Sequence, residues 1–488
     1  MSQESTNNTL NLCKLAFVIL VSCLVIRVIS LGMYPLMDTT EARYGEMARI
    51  MAESGDWITP MFDYGVPFWG KPPMFTWLSG AGFELFGVNE FAARLPHLLV
   101  GCLTLWLVWF FARRLFTADH TNQSLAHDKQ LAWLSTAILA STAAFIIISG
   151  AVMTDAGLMF AVSLSMISFW LAWHTDQKRW GYLFFVGLAL GMLSKGPLAI
   201  VLVGISLTLW LSLTSNWTSL ISKLPWISGS LLFLALSLPW YLMAEMKTPG
   251  FLDYFIVGEH VKRFLISGWE GDLYGTAHKR PRGTIWLLWL LASLPWFPVL
   301  FYQMAKLRKQ TSAGDPQRSL RIFLWVWLLA PLLLFTFSGN ILWSYVLPGI
   351  PALALLITLN QRALQLPTKH YLIGLLMPVL LTGLVIAMAF GFELKTSEKA
   401  LLNEWKQQPD AQQVPLYYLN KRPFSAQFYS DGQATLYEGE INALLASSET
   451  YYLAVNKHTP MNVELAARCQ RKSSNRKHVL WYCAADQP

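Results

Sequence analysis

Eleven apolar stretches, each near the length that crosses a bilayer, leave this chain few folds to choose from. A segment in hydrocarbon has no water to satisfy its N–H and C=O groups, so stretches of this kind run as helices. They fall at 13–36, 94–116, 131–149, 156–174, 181–195, 197–214, 226–245, 284–304, 320–338, 342–360 and 371–391. The predicted fold class is an α-helical polytopic membrane protein with about 11 transmembrane helices. Composition agrees, with 54% hydrophobic and 14% charged residues, outside the range of ordinary soluble domains. The 181–214 region is divided only by Ser194–Pro197.

From Phe392 onward the apolar density drops and shorter patterns alternate. VPLYYL (414–419), SAQFYS (425–430), ATLYE (434–438), TYYLAV (450–455) and HVLWYC (478–483) read as strands, INALLAS and VELAARC as helices. This divides the chain into a membrane domain, 1–391, and a small C-terminal α/β soluble domain, 392–488. The first stretch is too long and continuous for a cleaved signal peptide.

Basic residues between the stretches set the orientation. Under strict alternation Arg113, Arg114, Lys178, Arg179, Lys223, Lys306, Arg308 and Arg362 share one side, which should be the cytoplasm. The other side, outside the plasma membrane, then holds the loops 38–92 and 246–283 and the C-terminal domain. The net charge of +8 is spread over short loops rather than gathered in a stripe, which excludes nucleic acid as a partner. Cys469 and Cys483 lie in the outer domain, where an oxidising compartment favours a disulfide between them. Cys13, Cys23 and Cys102 lie in or beside apolar stretches and read as packing residues.

The outer loops carry residues that a lipid-facing chain has no structural need for. DTTEARYGEMARIMAESGDWITP (38–60) has helical spacing, with Tyr44, Met47, Ile50 and Met51 on one face and Gly55 as the stop, and it should lie flat at the interface. Asp38 and Glu41, beside Arg43, have the chemistry of a general base in an interfacial cavity. They serve equally well as helix caps. Asp155 lies in a tight turn on the same side, where it can complete a carboxylate pair or cap its own helix. Lys71, Lys195, His260, Lys262 and Arg263 are cations on the side that membrane proteins keep poor in them. Binding a lipid phosphate explains them; snorkelling to headgroups is the alternative. Trp69, Trp240, Tyr241 and Trp269 fit an aromatic belt, and Tyr345 stands apart beside a short polar loop.

TEARYGEMARIMAESGDW, GKPP, MTDAGLMF, SKGP, EHVKRF and SYVLPGIPALALL, in this order, resemble the multi-pass, GT-C type glycosyltransferases. The nearest branch is that of the bacterial aminoarabinose transferases acting on lipid A, with protein O-mannosyltransferases more distant. The resemblance covers about 1–360 and implies a GT-C-like fold and inverting transfer of a sugar from a polyprenyl phosphate (undecaprenyl phosphate) carrier on the periplasmic side. No nucleotide sugar enters. The acceptor would be lipid A, another glycan or a protein.

Position by position, the resemblance places the first-loop acid on Asp38 or Glu41. Members of the family often read DEARY, whereas Thr40 precedes Glu41 here. The second acid falls on Asp155, and the carrier-phosphate residues fall on Lys71, Arg263 and Tyr345. Arg43, Tyr44, Trp69, Lys195 and His260 remain substrate-binding candidates. In the aminoarabinose branch a glutamate before Lys-Pro-Pro, with a histidine matching His260, looks like a metal site. Gly70 stands at that position here, so no cofactor and no tightly bound divalent metal are expected. The rival from another class is a lipid or sugar transporter. Transporters place ionisable residues near the midplane, whereas these candidates gather at one face.

Overall fold

The computed structural model describes residues 3–116, 122–175, 177–275, 278–308, 317–392, 396–459 and 463–485. Among them, seven helices are long and apolar enough to cross a membrane: Asn11–Ser30, Glu90–Leu115, Asp155–His174, Trp226–Lys247, Arg318–Thr336, Trp343–Leu364 and Thr368–Ala389. An eighth span arises if Thr284–Ala292 and Phe297–Arg308, which meet at 99°, are counted together. Pro295 sits in that break and has no N–H to continue the ladder. The Leu294 carbonyl turns instead to the Ala143 N–H, at 2.8 Å.

Each of the eleven apolar stretches falls on helix, but besides the bent 284–304 pair three do not make a full-length apolar helix. The 131–149 stretch is divided at Ser141–Thr142 between Asn122–Ala140 and Ala143–Ile148. The 181–195 stretch belongs to a helix, Lys178–Lys195, with charges at both ends, and 197–214 to the 17-residue helix Leu198–Thr214. Hydrophobicity located these helices; length and flanking charge decide which of them can span.

The first loop forms the helix Thr40–Ser54, closed by Gly55 at φ 68, whose N–H returns to the Met51 carbonyl. That is a left-handed glycine cap. Residues Tyr44 through Met51 are all buried, so this helix does not lie flat on lipid. It is enclosed between the helix Met74–Phe86 and the tail helix Phe424–Tyr429, and Leu36, Tyr44, Phe68, Phe75 and Phe428 form one shared core. A short hairpin follows, β1 (Met61–Asp63) and β2 (Val66–Pro67).

The tail carries a five-stranded sheet: β3 (Leu416–Leu419), β4 (Ala434–Tyr437), β5 (Tyr451–Asn456), β6 (Gln470–Ser474) and β7 (His478–Cys483). Its order is β4-β3-β5-β7-β6, with β3 parallel to β4 and β5, and β7 antiparallel to β5 and β6. The helices Phe424–Tyr429, Ile441–Leu445 and Val463–Arg468 connect these strands. Cys469 and Cys483 are joined by a disulfide.

One predicted strand, 425–430, is a helix. Pro423 precedes it, and the Asp38 carboxylate, 387 residues away, accepts hydrogen bonds from the Ser425 N–H, at 3.0 Å, and hydroxyl. A tertiary cap overrides a weak local alternation. The same contact belongs to a wider seam in which Arg422 pairs with Asp63, Gln427 donates to Asp63, and Lys399 pairs with Glu90. The tail is thus fastened to the first loop, on the face where the candidate residues lie.

Candidate active site

A cavity of about 410 Å³ opens on this face, lined by the first-loop helix, the membrane helices, residues of the 253–275 segment with His278, and the tail. Asp155 begins its helix and Lys195 ends another, so each sits at the helix end whose dipole favours its charge. Lys195 Nζ donates to Asp155 Oδ1 at 2.7 Å, and both side chains are largely buried. The same ammonium lies 4.7 Å from the centre of the Tyr345 ring.

A second charged group faces the cavity from the segment Asp253–Lys262, which is wound as a π-helix. Glu259 accepts from Lys71 Nζ at 2.7 Å and from Arg263 Nη1 at 2.9 Å, with its side chain 3% exposed. Burial alone would raise the Glu259 carboxyl. Lys71 and then Arg263 reverse this and hold it at about 2. Asp272 Oδ2 lies 3.5 Å from Arg263, and Asn340 donates to the Arg263 carbonyl at 2.6 Å, tying the backbone of this segment in place. Two cations therefore converge on one carboxylate, in a cavity open to a ligand.

Arg43 lines the cavity, donating from Nη1 to the Tyr274 carbonyl at 2.6 Å and lying over the Tyr44 and Phe424 rings. Its Nε is buried with no hydrogen-bond partner. Tyr44, Lys71, Asp155, Lys195, His260, Arg263 and Tyr345 line the same space.

Three other candidates are elsewhere. Asp38 caps the tail helix, and burial raises its carboxyl despite the bonds from Ser425. Glu41 forms a two-pronged pair with Arg94, at 2.7 and 2.8 Å. Burial opposes the charge of Glu41, yet Arg94 outweighs it and keeps the carboxyl below its usual range. The longer turn does not return Asp38 to the cavity; Thr39 and Thr40 line it instead. Trp69 donates from Nε1 to the Thr248 hydroxyl, at 3.1 Å, outside the lining.

Sequence reasoning missed Glu259, Asp272, Tyr274, His278, Asn340 and Lys421, all in the lining. Glu259 had a signal: it lies four residues before Arg263, a spacing that brings opposite charges together on a helix. Lys421 had none, because it comes from the tail.

The residues do not fit a bound metal. His260 Nδ1 faces the Phe255 carbonyl at 2.7 Å and Nε2 the Lys195 carbonyl at 3.2 Å, so neither nitrogen is turned to a shared ligand position. Gly70 brings no side chain, and Glu259 is engaged by two cations. Among the described residues, no three His, Cys, Asp or Glu side chains gather in a metal-binding group.

Residues 11–255 match the family model described as dolichyl-phosphate-mannose-protein mannosyltransferase. Undecaprenyl phosphate-alpha-4-amino-4-deoxy-L-arabinose arabinosyl transferase 2 of Pseudomonas fluorescens (strain Pf0-1) is 30% identical over 335 residues, covering 67% of this chain and 56% of that protein. The transferase of the same name, without the numeral, from Pseudomonas aeruginosa (strain UCBPP-PA14) is 30% identical over 341 residues, with the same coverage. The match therefore spans little more than half the length of these curated relatives. The crystal structure of ArnT from Cupriavidus metallidurans bound to undecaprenyl phosphate superposes with a TM-score of 0.74 at 19% identity, covering 97% of this chain and 99% of that one. At that identity the likeness is one of fold, and it extends through the tail.

Proposed function

The chain belongs to the dolichyl-phosphate-mannose-protein mannosyltransferase family, and on that premise we propose that it is an inverting glycosyltransferase using a polyprenyl phosphate-linked sugar. The donor is carried by undecaprenyl phosphate, the acceptor is lipid A, another glycan or a protein, and transfer takes place on the periplasmic side of the bacterial inner membrane. The C-terminal domain lies on that side.

The observation that carries this reading is the convergence of Lys71 and Arg263 on Glu259 within the cavity. A donor phosphate brings its own negative charge and competes with Glu259 for both cations. The acceptor oxygen attacks the anomeric carbon from the face opposite the phosphate, and the C1–O bond to phosphate breaks with its electron pair on the leaving oxygen. Lys71 and Arg263 stabilise that charge, and Tyr345 donates a hydrogen bond to it. Asp155 takes the proton of an acceptor hydroxyl, and Lys195 holds its carboxylate in place. Arg43, Tyr44 and His260 line the sugar and acceptor side. Asp38 and Glu41 act at a distance, by fixing the first loop.

A transporter would need ionisable groups free to act within the spans. Arg27, the cation buried in the first span, is instead occupied by the Ser149 carbonyl at 2.7 Å and by Tyr34 and Ser30.

The deciding experiment restores wild-type or Asp155→Asn copies to a deletion strain and records intact lipid A mass spectra. A sugar-sized mass that depends on the wild-type copy identifies sugar and acceptor together. An unchanged lipid A spectrum moves the search to glycans and proteins, by transfer assay with polyprenyl phosphate-linked sugars. Full restoration by the Asp155→Asn copy removes Asp155 from the mechanism.

A further inference from the structure

The tail has an open crevice of about 1100 Å³, larger than the cavity at the membrane face. Its position follows from the sheet. Leu416, Tyr418, Tyr452, Ala454 and Leu480 pack on one face, together with Ala426 of the helix that follows β3. Leu419, Leu453, Val455 and Trp481 pack on the other, with Leu444 and Leu465 of the helices that follow β4 and β5. The connections leaving the adjacent parallel strands β3 and β5 therefore pass to opposite faces. In open α/β sheets that change of side makes a crevice beyond the carboxyl ends of the two strands, where such folds bind ligands. The crevice lies there, lined by Leu419 and Asn420 at and after the end of β3 and by Val455 to Thr459 at and after that of β5. The helices over this face have five and six residues, and among the described residues Val479 and Trp481 are left partly exposed on the floor.

The chemistry of the lining selects the ligand. Glu438 and Glu440 are matched in number by Lys457 and Arg471, so with His458 neutral the lining carries no formal excess of positive charge for a phosphate or a carboxylate. Asn420 supplies an amide that both donates and accepts, and Asn456 an amide N–H, its oxygen already accepting from the His458 N–H at 2.9 Å. Trp481 gives a flat apolar surface with a polar edge. Asn420 is held at φ 61, a left-handed conformation at the end of a strand that fixes where its side chain starts. Amides around an indole suit a neutral molecule with hydroxyls on its edge and C–H groups on its face.

From these observations we infer that the crevice between β3 and β5 is a binding site for a neutral saccharide, separate from the membrane-face cavity. This site does not depend on the transfer reaction, and it gives the tail a ligand of its own.

The test uses the full-length protein in nanodiscs on an array of neutral gluco-, manno-, galacto- and N-acetylglucosamine oligosaccharides, with phosphorylated and uronate-bearing counterparts. Neutral glycans should bind in preference to charged ones. Trp481→Ala and Asn420→Gly, the latter chosen to keep the positive φ, should each weaken binding at least tenfold, the Asn420→Gly protein at an unchanged melting temperature and the Trp481→Ala protein with its tail still folded by protease digestion. Trp481→Phe should retain part of it, and Lys71→Ala all of it, which separates this site from the donor cavity. Binding of the same saccharide free, or only when lipid-linked, supports the site in either case and tells the source of the ligand. No binding of neutral glycans, a preference for charged ones, or equal binding by wild type, Trp481→Ala and Asn420→Gly overturns the inference.

Discussion

Glu259 is the residue on which the cavity's electrostatics turn, because it holds Lys71 and Arg263 together. Its carboxyl stands at about 2 in the fold against an ordinary value of 4.5. A depressed carboxyl contributes stability that is complete above the unfolded value and drains away as pH falls toward the folded one; the difference corresponds to about 3 kcal/mol. Melting of the wild type in detergent should therefore fall steeply between pH 5 and pH 3, and Glu259→Gln should flatten that slope. The same substitution leaves two cations without their carboxylate, so added undecaprenyl phosphate should raise its melting temperature more than that of the wild type. Asp155→Asn should lower transfer by roughly a hundredfold or more, with normal membrane insertion by protease accessibility. Lys71 and Arg263 stood out as cations on the side that membrane proteins keep poor in them, and Asp155 by its tight turn on that side; all three line the cavity. Glu259 was less legible, since the charges it answers were not yet placed beside it.

Helices show the opposite balance. The apolar stretches declared themselves by composition, and the first-loop helix by its spacing and Gly55. What composition could not supply was the partner on the second side of that helix, and so the expected lipid-facing helix is a buried one. The helix Phe424–Tyr429 was hidden for a related reason, its cap lying on Asp38. Asp38→Ala should cost about 1 kcal/mol, the ordinary value of a lost cap, seen as a lower melting temperature with transfer still measurable. Loss of transfer at full stability would instead restore Asp38 to the chemistry. The disulfide closes a segment with a separation of 14 residues, and replacing both cysteines by serine should remove about 3 kcal/mol, read as earlier unfolding of the tail by protease digestion.

For the molecule as a whole, the tail was legible as a separate sequence pattern, but Lys421 was not legible as part of the cavity wall. Lys421 and Phe424 reach the lining, and Phe428 completes the core around Tyr44 and Phe68. A chain ending near residue 392 should therefore lose transfer and melt at a lower temperature, although its membrane helices are all present. Thermal unfolding of that truncated chain in detergent checks this, and unchanged melting would mean that the seam contributes little.

The seam also bears on how such a protein can be inherited or recombined. Asp38, Asp63 and Glu90 of the first loop answer Ser425, Arg422 and Lys399 of the tail. A hybrid that takes its tail from one relative and its loop from another would bring together halves of different locks. Working exchanges should be those that move both parts at once, so that two stretches more than 300 residues apart in the chain descend as a single unit.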